Sequence, residues 1–277
     1  MEHVRSKISA CLVVYNEDKV IDRCLASICN LVDEIILVHD GECSDRTLEI
    51  AKKYTDKIFV QPHIGEAEPH RAFTFLQASG DWILQIDADE FLDIETHSQI
   101  RKMVGEPDIN VDAYSFQWEL WNGNQPVHIP GFYKMCLFKK KNFFYCGVPH
   151  QAGGVKGKIQ KVDLFLRHRP AYNNTAWKEF LRKAKKWVPV HAKYFFPQLV
   201  QYNCFNTTAD AWLAYAAHVR KHPVLHLFYY PAKTFLAQLK NGMIKSWAGW
   251  NFAAQQFVYY SYLFIVVLKM KLKIKNL

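Results

Sequence analysis

An apolar run that ends in three carboxylates is the stretch of this sequence best suited to chemistry. The run from Trp82 to Ile86 is rich in β-formers and predicts a buried strand, and Asp87, Asp89 and Glu90 follow it. Side chains alternate along an extended chain, so Asp87 and Asp89 project to one side. The repulsion between two like charges on one face is relieved by a shared proton or by a divalent cation with oxygen ligands. The spacing predicts a site for a metal and a diphosphate, and solvated loop acids after a core strand are the alternative.

Polar clusters also follow two earlier apolar runs. Tyr15-Asn16-Glu17 comes after the run 8–14, and Asp40-Gly41 comes after the run 34–39. Asp40 could accept hydrogen bonds from a base or from ribose hydroxyls, although a lone strand-terminal Asp most often caps a turn or helix. Asp87 could contact the ribose or the metal, and Asp89 could chelate a metal that bridges two phosphates.

Strands and helices alternate over the first hundred residues. Apolar residues recur at helical spacing over 20–28, with Asp18 as a candidate N-cap, and Ser44 is a candidate cap for a second helix. A short strand over 57–60, a helix over 69–78 and a strand over 111–120 are also predicted. Such alternation implies an α/β fold with a parallel sheet, which brings the three polar clusters to one edge.

The order and spacing of these clusters resemble the opening pattern of family 2 glycosyltransferases. The pattern occupies residues 13–17, 38–47 and 80–90, and it is most similar to the branch that includes lipopolysaccharide-core β-1,4-glucosyltransferases. The resemblance implies the GT-A fold, which is Rossmann-like, with a mostly parallel central sheet flanked by helices. It also implies inverting transfer of a hexose from a nucleotide-diphosphate sugar, most commonly a UDP-sugar.

The resemblance implies roles for individual residues as well. Tyr15, Glu17 and Asp40 would surround the nucleoside. Asp87 would lie near the ribose and the metal, and Asp89 would hold Mg²⁺ or Mn²⁺. Arg71 matches a basic position of this branch and would approach the donor phosphates, with an ordinary surface-helix arginine as the alternative.

A departure from the family pattern follows residue 142. The stretch 142–151 resembles a family segment that ends in His-Glu, but Gln151 stands where many relatives have Glu, and an amide cannot accept the acceptor's proton. His150 is predicted as a metal ligand or phosphate contact, with a structural role as the alternative. Glu119, beside a loop suited to the acceptor, is nominated as the general base. Gln151 also motivates a rival interpretation, a non-catalytic sugar-nucleotide-binding or scaffolding protein.

Charge divides the chain into two regions. Residues 1–100 hold 9 Lys and Arg against 19 Asp and Glu, whereas residues 101–277 hold 26 against 7. We expect a nucleotide-sugar-binding catalytic domain over 1–165 and a basic, aromatic-rich, membrane-associated helical region over 166–277. The basic half suits phosphate-bearing substrates or an anionic membrane. Nucleic acid is not expected as a partner, because the sequence contains no helix-turn-helix, zinc-finger or RNA-binding aromatic pattern.

Two C-terminal segments suggest membrane contact. The helical pattern over 177–194 is basic and amphipathic, which suits a membrane surface or an acidic partner, with a solvated face as the alternative. The apolar run over 257–268 would reach only about 18 Å as a helix, against about 30 Å for a bilayer core. Lysines at 269, 271, 273 and 275 follow it, so an interfacial helix on anionic headgroups is predicted. The acceptor would be lipid-linked or of the lipopolysaccharide or polysaccharide type.

The cysteines and the N-terminus bear on localisation. Seven cysteines, an odd number with no Cys-x-x-Cys pair, favour reduced thiols over disulfides or structural zinc. The charged N-terminus runs directly into a predicted strand, which is unlike a secretory signal. We expect a cytoplasmic protein bound peripherally to the inner face of the cell membrane.

Overall fold

The first half of the chain alternates strands with helices, as the sequence predicts. The structure is a computed structural model that describes residues 5–108, 110–240 and 243–275. Its first elements are β1 (Ile8–Val14), α1 (Ile21–Ile28), β2 (Glu34–Asp40), α2 (Thr47–Ala51), β3 (Ile58–Gln61), α3 (Glu68–Gln77) and β4 (Trp82–Gln85). Each observed strand lies within one residue of its predicted position, because an apolar run buried on both faces leaves little choice of conformation.

Longer strands and a set of helices complete the chain. The next elements are β5 (Glu90–Leu92), α4 (His97–Gly105), β6 (Val111–Trp121), β7 (Pro126–Lys139), β8 (Phe143–Phe144), β9 (Gly154–Val155) and β10 (Lys158–His168). The last are α5 (Trp177–Lys193), α6 (Asp210–Lys221), α7 (Pro223–Lys240) and α8 (Trp247–Lys275). β10 runs past the predicted domain boundary at 165 and ends at His168, so the sheet ends slightly later than expected.

One eight-stranded sheet organises the molecule, in the order β3-β2-β1-β4-β7-β6-β10-β5. β3, β2, β1 and β4 are parallel to one another, and β10 is parallel to β6. β7 is antiparallel to both its neighbours, and β5 is antiparallel to β10. β8 and β9 form a separate two-stranded sheet. The predicted α/β fold with a central sheet flanked by helices is confirmed.

Both faces of the sheet are covered. On β1, Ile8, Ala10 and Leu12 pack into the larger core with α1 and α4, whereas Cys11 packs into a second core with α3. This alternation explains why the sequence of β1 is continuously apolar rather than amphipathic. Because both faces are occupied by helices, ligands can approach the parallel strands only at their ends.

The first two helices begin later than the predicted caps. α1 begins after Val20 and α2 after Arg46, so neither Asp18 nor Ser44 occupies a cap position. Asp45 binds both loops instead, because its carboxylate accepts hydrogen bonds from the N–H of Asp18 at 3.1 Å and from the N–H of Thr47 at 2.9 Å. This carboxylate fixes the loop after β1 to the loop after β2, at the edge where polar clusters were expected.

The C-terminal helices share their own core and dock on the sheet. Side chains of α5, α6 and α8 form this core: Ala184, Val188, Ala192, Ala216, Val219, Tyr259, Leu263, Phe264 and Val267. The predicted interfacial segment 257–268 therefore lies within α8 and turns one side toward neighbouring helices. Phe252 of α8 contacts Phe132 of β7, with 4.7 Å between the ring centroids. The side chain of Lys275 lies outside the described residues. None of the helices in the described ranges combines the length and apolar character needed to cross a membrane.

Candidate active site

A cavity of about 750 Å³ lies at the carboxyl ends of β1, β2 and β4. Seven of the eight residues predicted for the site line it: Tyr15, Glu17, Asp40, Arg71, Asp87, Asp89 and His150. Residues of β7, α5 and α8 close other sides of it. The sheet therefore brings the three polar clusters together, and the C-terminal helices contribute to the same space.

The turn after β1 presents an aromatic ring to the cavity. Asn16 has a left-handed backbone, with φ of 53°, and its side-chain oxygen accepts a hydrogen bond from the N–H of Ser44 at 2.9 Å. Tyr15 is 41% exposed, and its ring centroid lies 4.7 Å from that of His63. The strained turn is thus fixed to the loop after β2 and places the partly exposed Tyr15 ring on the cavity wall.

Glu17 lies on the same turn and carries a perturbed carboxyl group. Burial, followed by repulsion from Asp89, raises the pKa of Glu17 to about 7. Its backbone N–H donates to the hydroxyl of Thr47 at 2.6 Å, which fixes the position of the residue. Glu17 can therefore change its protonation state near neutral pH, in a cavity that also contains other carboxylates.

Asp40 organises the loop that precedes α3. One carboxylate oxygen accepts from the N–H of Ile64 at 2.6 Å and lies 2.9 Å from Nε2 of His70, and the other accepts from the N–H of Gly65 at 2.8 Å. Burial raises the pKa of Asp40, but these hydrogen bonds outweigh burial and hold it below its usual value. Asp40 is only 3% exposed, so its main visible role is to position the 63–67 loop rather than to face solvent.

Asp87 is neutralised by two cations. Arg71 donates to one carboxylate oxygen at 2.9 Å, and Lys134 of β7 donates to the other at 2.6 Å. Burial raises the pKa of Asp87, but attraction to Lys134 and then to Arg71 lowers it well below its usual value. The Lys134 ammonium also donates to both oxygens of Glu90, which is fully buried and accepts a further hydrogen bond from Trp118.

Asp89 has a different environment from Asp87. One of its oxygens lies 3.1 Å from Nε2 of His168, whose Nδ1 lies 3.0 Å from the side-chain nitrogen of Asn174. That contact makes Nδ1 the acceptor, so Nε2 carries the hydrogen and donates to Asp89. The other oxygen of Asp89 accepts no hydrogen bond from the residues that the structure describes. It is thus available to a ligand in the cavity.

The predicted metal ligands do not form one cluster. Among the described residues, no three His, Cys, Asp or Glu side chains are grouped closely enough to hold a metal ion. Mg²⁺, however, usually binds one or two carboxylates and takes its remaining ligands from substrate phosphates and water. The free oxygen of Asp89 has the donor chemistry that such an ion prefers, so this residue fits the predicted metal better than Asp87, which is engaged by Arg71 and Lys134.

His150 lies in an aromatic part of the cavity wall. Its ring centroid is 4.7 Å from that of Tyr259 and 5.6 Å from those of His191 and Trp187. Burial lowers the pKa of His150, so the neutral imidazole is favoured. Its backbone is left-handed, with φ of 56°, a strain that non-glycine residues rarely carry. His150 and the neighbouring Gln151 both line the cavity.

Glu119, the residue nominated as the general base, is not among the described lining residues of the cavity. Its carboxylate is 5% exposed, pairs with Arg167 and Arg169 of the segment beside it at 2.9 Å each, and lies outside the described lining of the cavity. Both carboxylate oxygens of Glu119 are thus engaged by guanidinium groups. The structure therefore does not bring Glu119 to the site where it was predicted to act, and we expect the base among the carboxylates of the cavity wall.

Four charged or titratable residues of the cavity wall were not identified as site residues from the sequence. Lys134, His168, Lys183 and Lys186 come from β7, β10 and α5, far along the chain from the acidic motifs. Only His168 carried a local signal, because it ends a strand as the acidic motifs do. The other three depend on strand order and helix docking, which local patterns do not reveal.

Two solved structures are similar to part of this chain at low sequence identity. Glucosyl-3-phosphoglycerate synthase of Mycobacterium tuberculosis, solved with Mn²⁺ and UDP-glucose, has a TM-score of 0.45 and 14% identity, and the match covers 67% of this chain and 77% of that chain. Staphylococcus aureus TarS has a TM-score of 0.42 and 15% identity over 80% of this chain and 42% of that chain.

Sequence relatives include glycosyltransferases of Rickettsia. An uncharacterized glycosyltransferase of Rickettsia felis is 28% identical over 263 residues, covering 87% of this chain and 92% of the relative. Another, of Rickettsia typhi, is 27% identical over 234 residues, covering 78% of each chain. The model of the family "Glycosyl transferase family 2" matches residues 9–163, which hold all but the first residue of β1, all of β2 to β9 and the first part of β10. With more than half of its length matched, and with the strand-end cavity described above, the chain belongs to glycosyl transferase family 2 and is a glycosyltransferase of the GT-A fold.

Proposed function

We propose that this protein is an inverting hexosyltransferase that uses a UDP-sugar and Mg²⁺ or Mn²⁺ and acts on a lipid-linked or lipopolysaccharide-type acceptor. The observation that carries the proposal is the cavity of about 750 Å³ with Tyr15 and Asp89 on its wall. Its volume lies within the roughly 300–1,000 Å³ range of small-molecule sites. A stacking ring and a free carboxylate oxygen are what a nucleoside and a metal-bound diphosphate require.

The nucleoside end is assigned to Tyr15. Its partly exposed ring suits a base, and Glu17 beside it suits ribose hydroxyls. Asp40 supports this end indirectly, because it fixes the 63–67 loop against the turn that carries Tyr15. Asp87, which Arg71 and Lys134 neutralise, lines the same cavity.

The diphosphate end is assigned to Asp89. Its free oxygen would hold the divalent ion, and His168 orients the carboxylate from the opposite side. When bound, such an ion stabilises the charge that develops on the departing diphosphate. The protein's own contribution is to fix Asp89 at the end of β4 and to keep Asp87 neutralised, so that the two carboxylates do not repel the donor.

The general base is expected among the side chains of the cavity wall. Transfer with inversion needs a group that takes the acceptor hydroxyl's proton during in-line attack at the anomeric carbon. Gln151 cannot do so, and Glu119 lies outside the described lining. The wall carries Glu68 and Glu179, and between these we expect the base. Glu66 also lines the wall, but burial raises its pKa to about 9, so it already holds a proton at neutral pH.

A lipid-linked acceptor is supported by the surface of α7. Its outward positions carry Val224, Leu225, Phe228, Tyr229 and Leu236, each more than half exposed. Lys233 and Lys240 lie on the same exposed face. Apolar and aromatic side chains with lysines suit a bilayer surface with anionic headgroups, which would keep the protein close to a lipid-borne acceptor.

Sugar transfer into a lipid phase tests the proposal. Purified protein is incubated with radiolabelled UDP-hexoses, a glycolipid extract and Mn²⁺, and label is counted in the lipid fraction. We expect transfer that is abolished by EDTA and lost in Asp89→Asn, with a β-linked product from the α-linked donor by NMR. Exposed Asp56→Asn is the matched control and should retain transfer. UDP binding without turnover toward any acceptor would make the protein a sugar-nucleotide-binding protein instead.

A further inference from the structure

One face of α5 points into the donor cavity although the helix belongs to the C-terminal region. Glu179, Lys183, Lys186 and Trp187 recur at three- and four-residue spacing and all line the cavity. Ala184 and Val188, on the adjoining face, are buried in the helical core. α5 is thus a wall of the site rather than a free amphipathic helix.

Lys183 is placed beside the metal end of the cavity. Its ammonium lies 3.8 Å from the ring centroid of Tyr172 and 4.9 Å from that of Trp187. Asp89 and Glu17 are the carboxylates that act on its charge most strongly from across the cavity. Burial lowers the pKa of Lys183 to about 8, which indicates a cation that lacks sufficient compensation in the free protein.

Lys186 is placed beside the nucleoside end. Its ammonium lies 5.4 Å from the ring centroid of Tyr15. A Cβ placed at Gly65 would lie 3.7 Å from Cε of Lys186, so the side chain crosses over the loop that Asp40 fixes. One turn of helix therefore carries two ammonium groups, one near Tyr15 and one near Asp89.

These two lysines differ from the other cations of the cavity. Arg71 and Lys134 are paired with Asp87. Lys183 and Lys186 form no ion pair with any residue in the described part of the chain. An incoming diphosphate therefore meets two ammonium groups that are not paired with a carboxylate.

We propose that Lys183 and Lys186 of α5 bind the diphosphate of the nucleotide-sugar donor. The inference rests on the proposed function and extends it, because both lysines lie beyond the residues 9–163 that the family model matches. The C-terminal region is then part of the donor site, and the matched domain alone would lack two of its phosphate contacts.

Calorimetric titration of the full chain with UDP and with uridine tests this proposal. We compare wild type with Lys183→Met and Lys186→Met, which keep the apolar stems, and with Lys185→Met, an exposed lysine of the same helix that lies outside the described cavity wall. We expect each cavity variant to bind UDP about tenfold more weakly, since charge-assisted hydrogen bonds are lost. Uridine binding should be unchanged in all variants, and Lys185→Met should match wild type. Lys186→Arg should restore most of the lost UDP affinity.

The possible outcomes separate the inference from the function on which it rests. If wild type binds UDP and both cavity variants bind it equally well, the lysines do not contact the diphosphate and the inference is overturned. An equal loss of uridine and UDP affinity would also overturn it, because the damage would then be to the fold of the site. If wild type binds no nucleoside diphosphate, with or without Mn²⁺, the proposed function itself fails.

Discussion

Replacing Lys134 by methionine removes a cation that is shared by two carboxylates. Its ammonium lies 2.6 Å from Asp87 and 2.6 and 2.7 Å from the two oxygens of Glu90. Glu90 is fully buried, and its other hydrogen bonds come from Trp118 and from the N–H of Asp87. The substitution conserves most of the side chain's volume but leaves Glu90 without a cation.

The expected cost follows from the burial of this group. Removing one partner of a buried ion pair costs about 3–5 kcal/mol, because the remaining charge stays desolvated. Burial already raises the pKa of Glu90, and loss of Lys134 raises it further. The folded variant then holds a proton that the unfolded chain releases above about pH 4.5, so stability is lost as pH rises. The variant should therefore be less destabilised at pH 6 than at pH 8.

Urea unfolding at both pH values measures this cost in a double-mutant cycle with Glu90→Gln. We expect Lys134→Met to lower the free energy of unfolding by about 3–5 kcal/mol in the wild-type background. In the Glu90→Gln background the same substitution should cost less, by at least about 2 kcal/mol. Lys141→Met, at an exposed lysine, is the control and should stay within about 0.5 kcal/mol of wild type. A cost below about 1 kcal/mol at pH 8 that Glu90→Gln leaves unchanged would refute the reasoning.

Three further substitutions test other parts of the structure. Burial raises the pKa of Glu66 to about 9, so the stability that this carboxyl group contributes is lost as pH rises from about 4.5 to 9. Scanning calorimetry should therefore show that Glu66→Gln raises Tm at pH 8 but not at pH 4.5. Asp40→Asn should cost about 1–3 kcal/mol in urea unfolding, because an amide nitrogen would face the N–H donors that hold the 63–67 loop. Phe228→Ser should reduce sedimentation with phosphatidylglycerol vesicles, whereas Leu76→Ser, at an exposed leucine of α3, should not.

For each of these three substitutions, one outcome would contradict the prediction. A Glu66→Gln gain that is equal at both pH values would show that the carboxyl group is not protonated in the folded state. An Asp40→Asn variant as stable as wild type would mean that the 63–67 loop does not depend on that carboxylate. Equal vesicle binding by wild type and Phe228→Ser would show that α7 does not contact the membrane surface.

The first half of the fold was predictable because its information is local. β1 was expected at Ile8–Val14 and is observed there, since a strand buried on both faces must be continuously apolar. Parallel pairing of β1 with β2 and β4 then brings the residues after each strand to one edge, so Tyr15, Asp40 and Asp89 could be grouped from the sequence.

The second half of the site depends on pairings that are distant in sequence. Insertion of β7 between β4 and β6 is what brings Lys134 to Asp87. The pairing of β10 with β6 brings Arg167 against Glu119, the residue nominated as the base. Alternation along each strand was visible in the sequence, but the register between them was not.

The C-terminal helices show the same limit. The sequence over 177–194 indicated a basic amphipathic helix, and α5 is one, yet its docking decides whether lysines face a membrane or a substrate. Lys183 and Lys186 face the cavity. α7, within the region 166–277 that the sequence marks as basic and aromatic-rich, carries the exposed apolar face instead.

Release of UDP from UDP-hexoses by the purified full chain is the measurement that tests the central claim most directly. The assay compares wild type, Asp89→Asn and the exposed control Asp56→Asn with Mn²⁺ present, and it needs no knowledge of the acceptor because slow transfer to water also frees UDP. The account predicts release by wild type and by the control and a loss of about a hundredfold or more in Asp89→Asn. Undiminished release by Asp89→Asn would contradict the assignment of the diphosphate end to this residue.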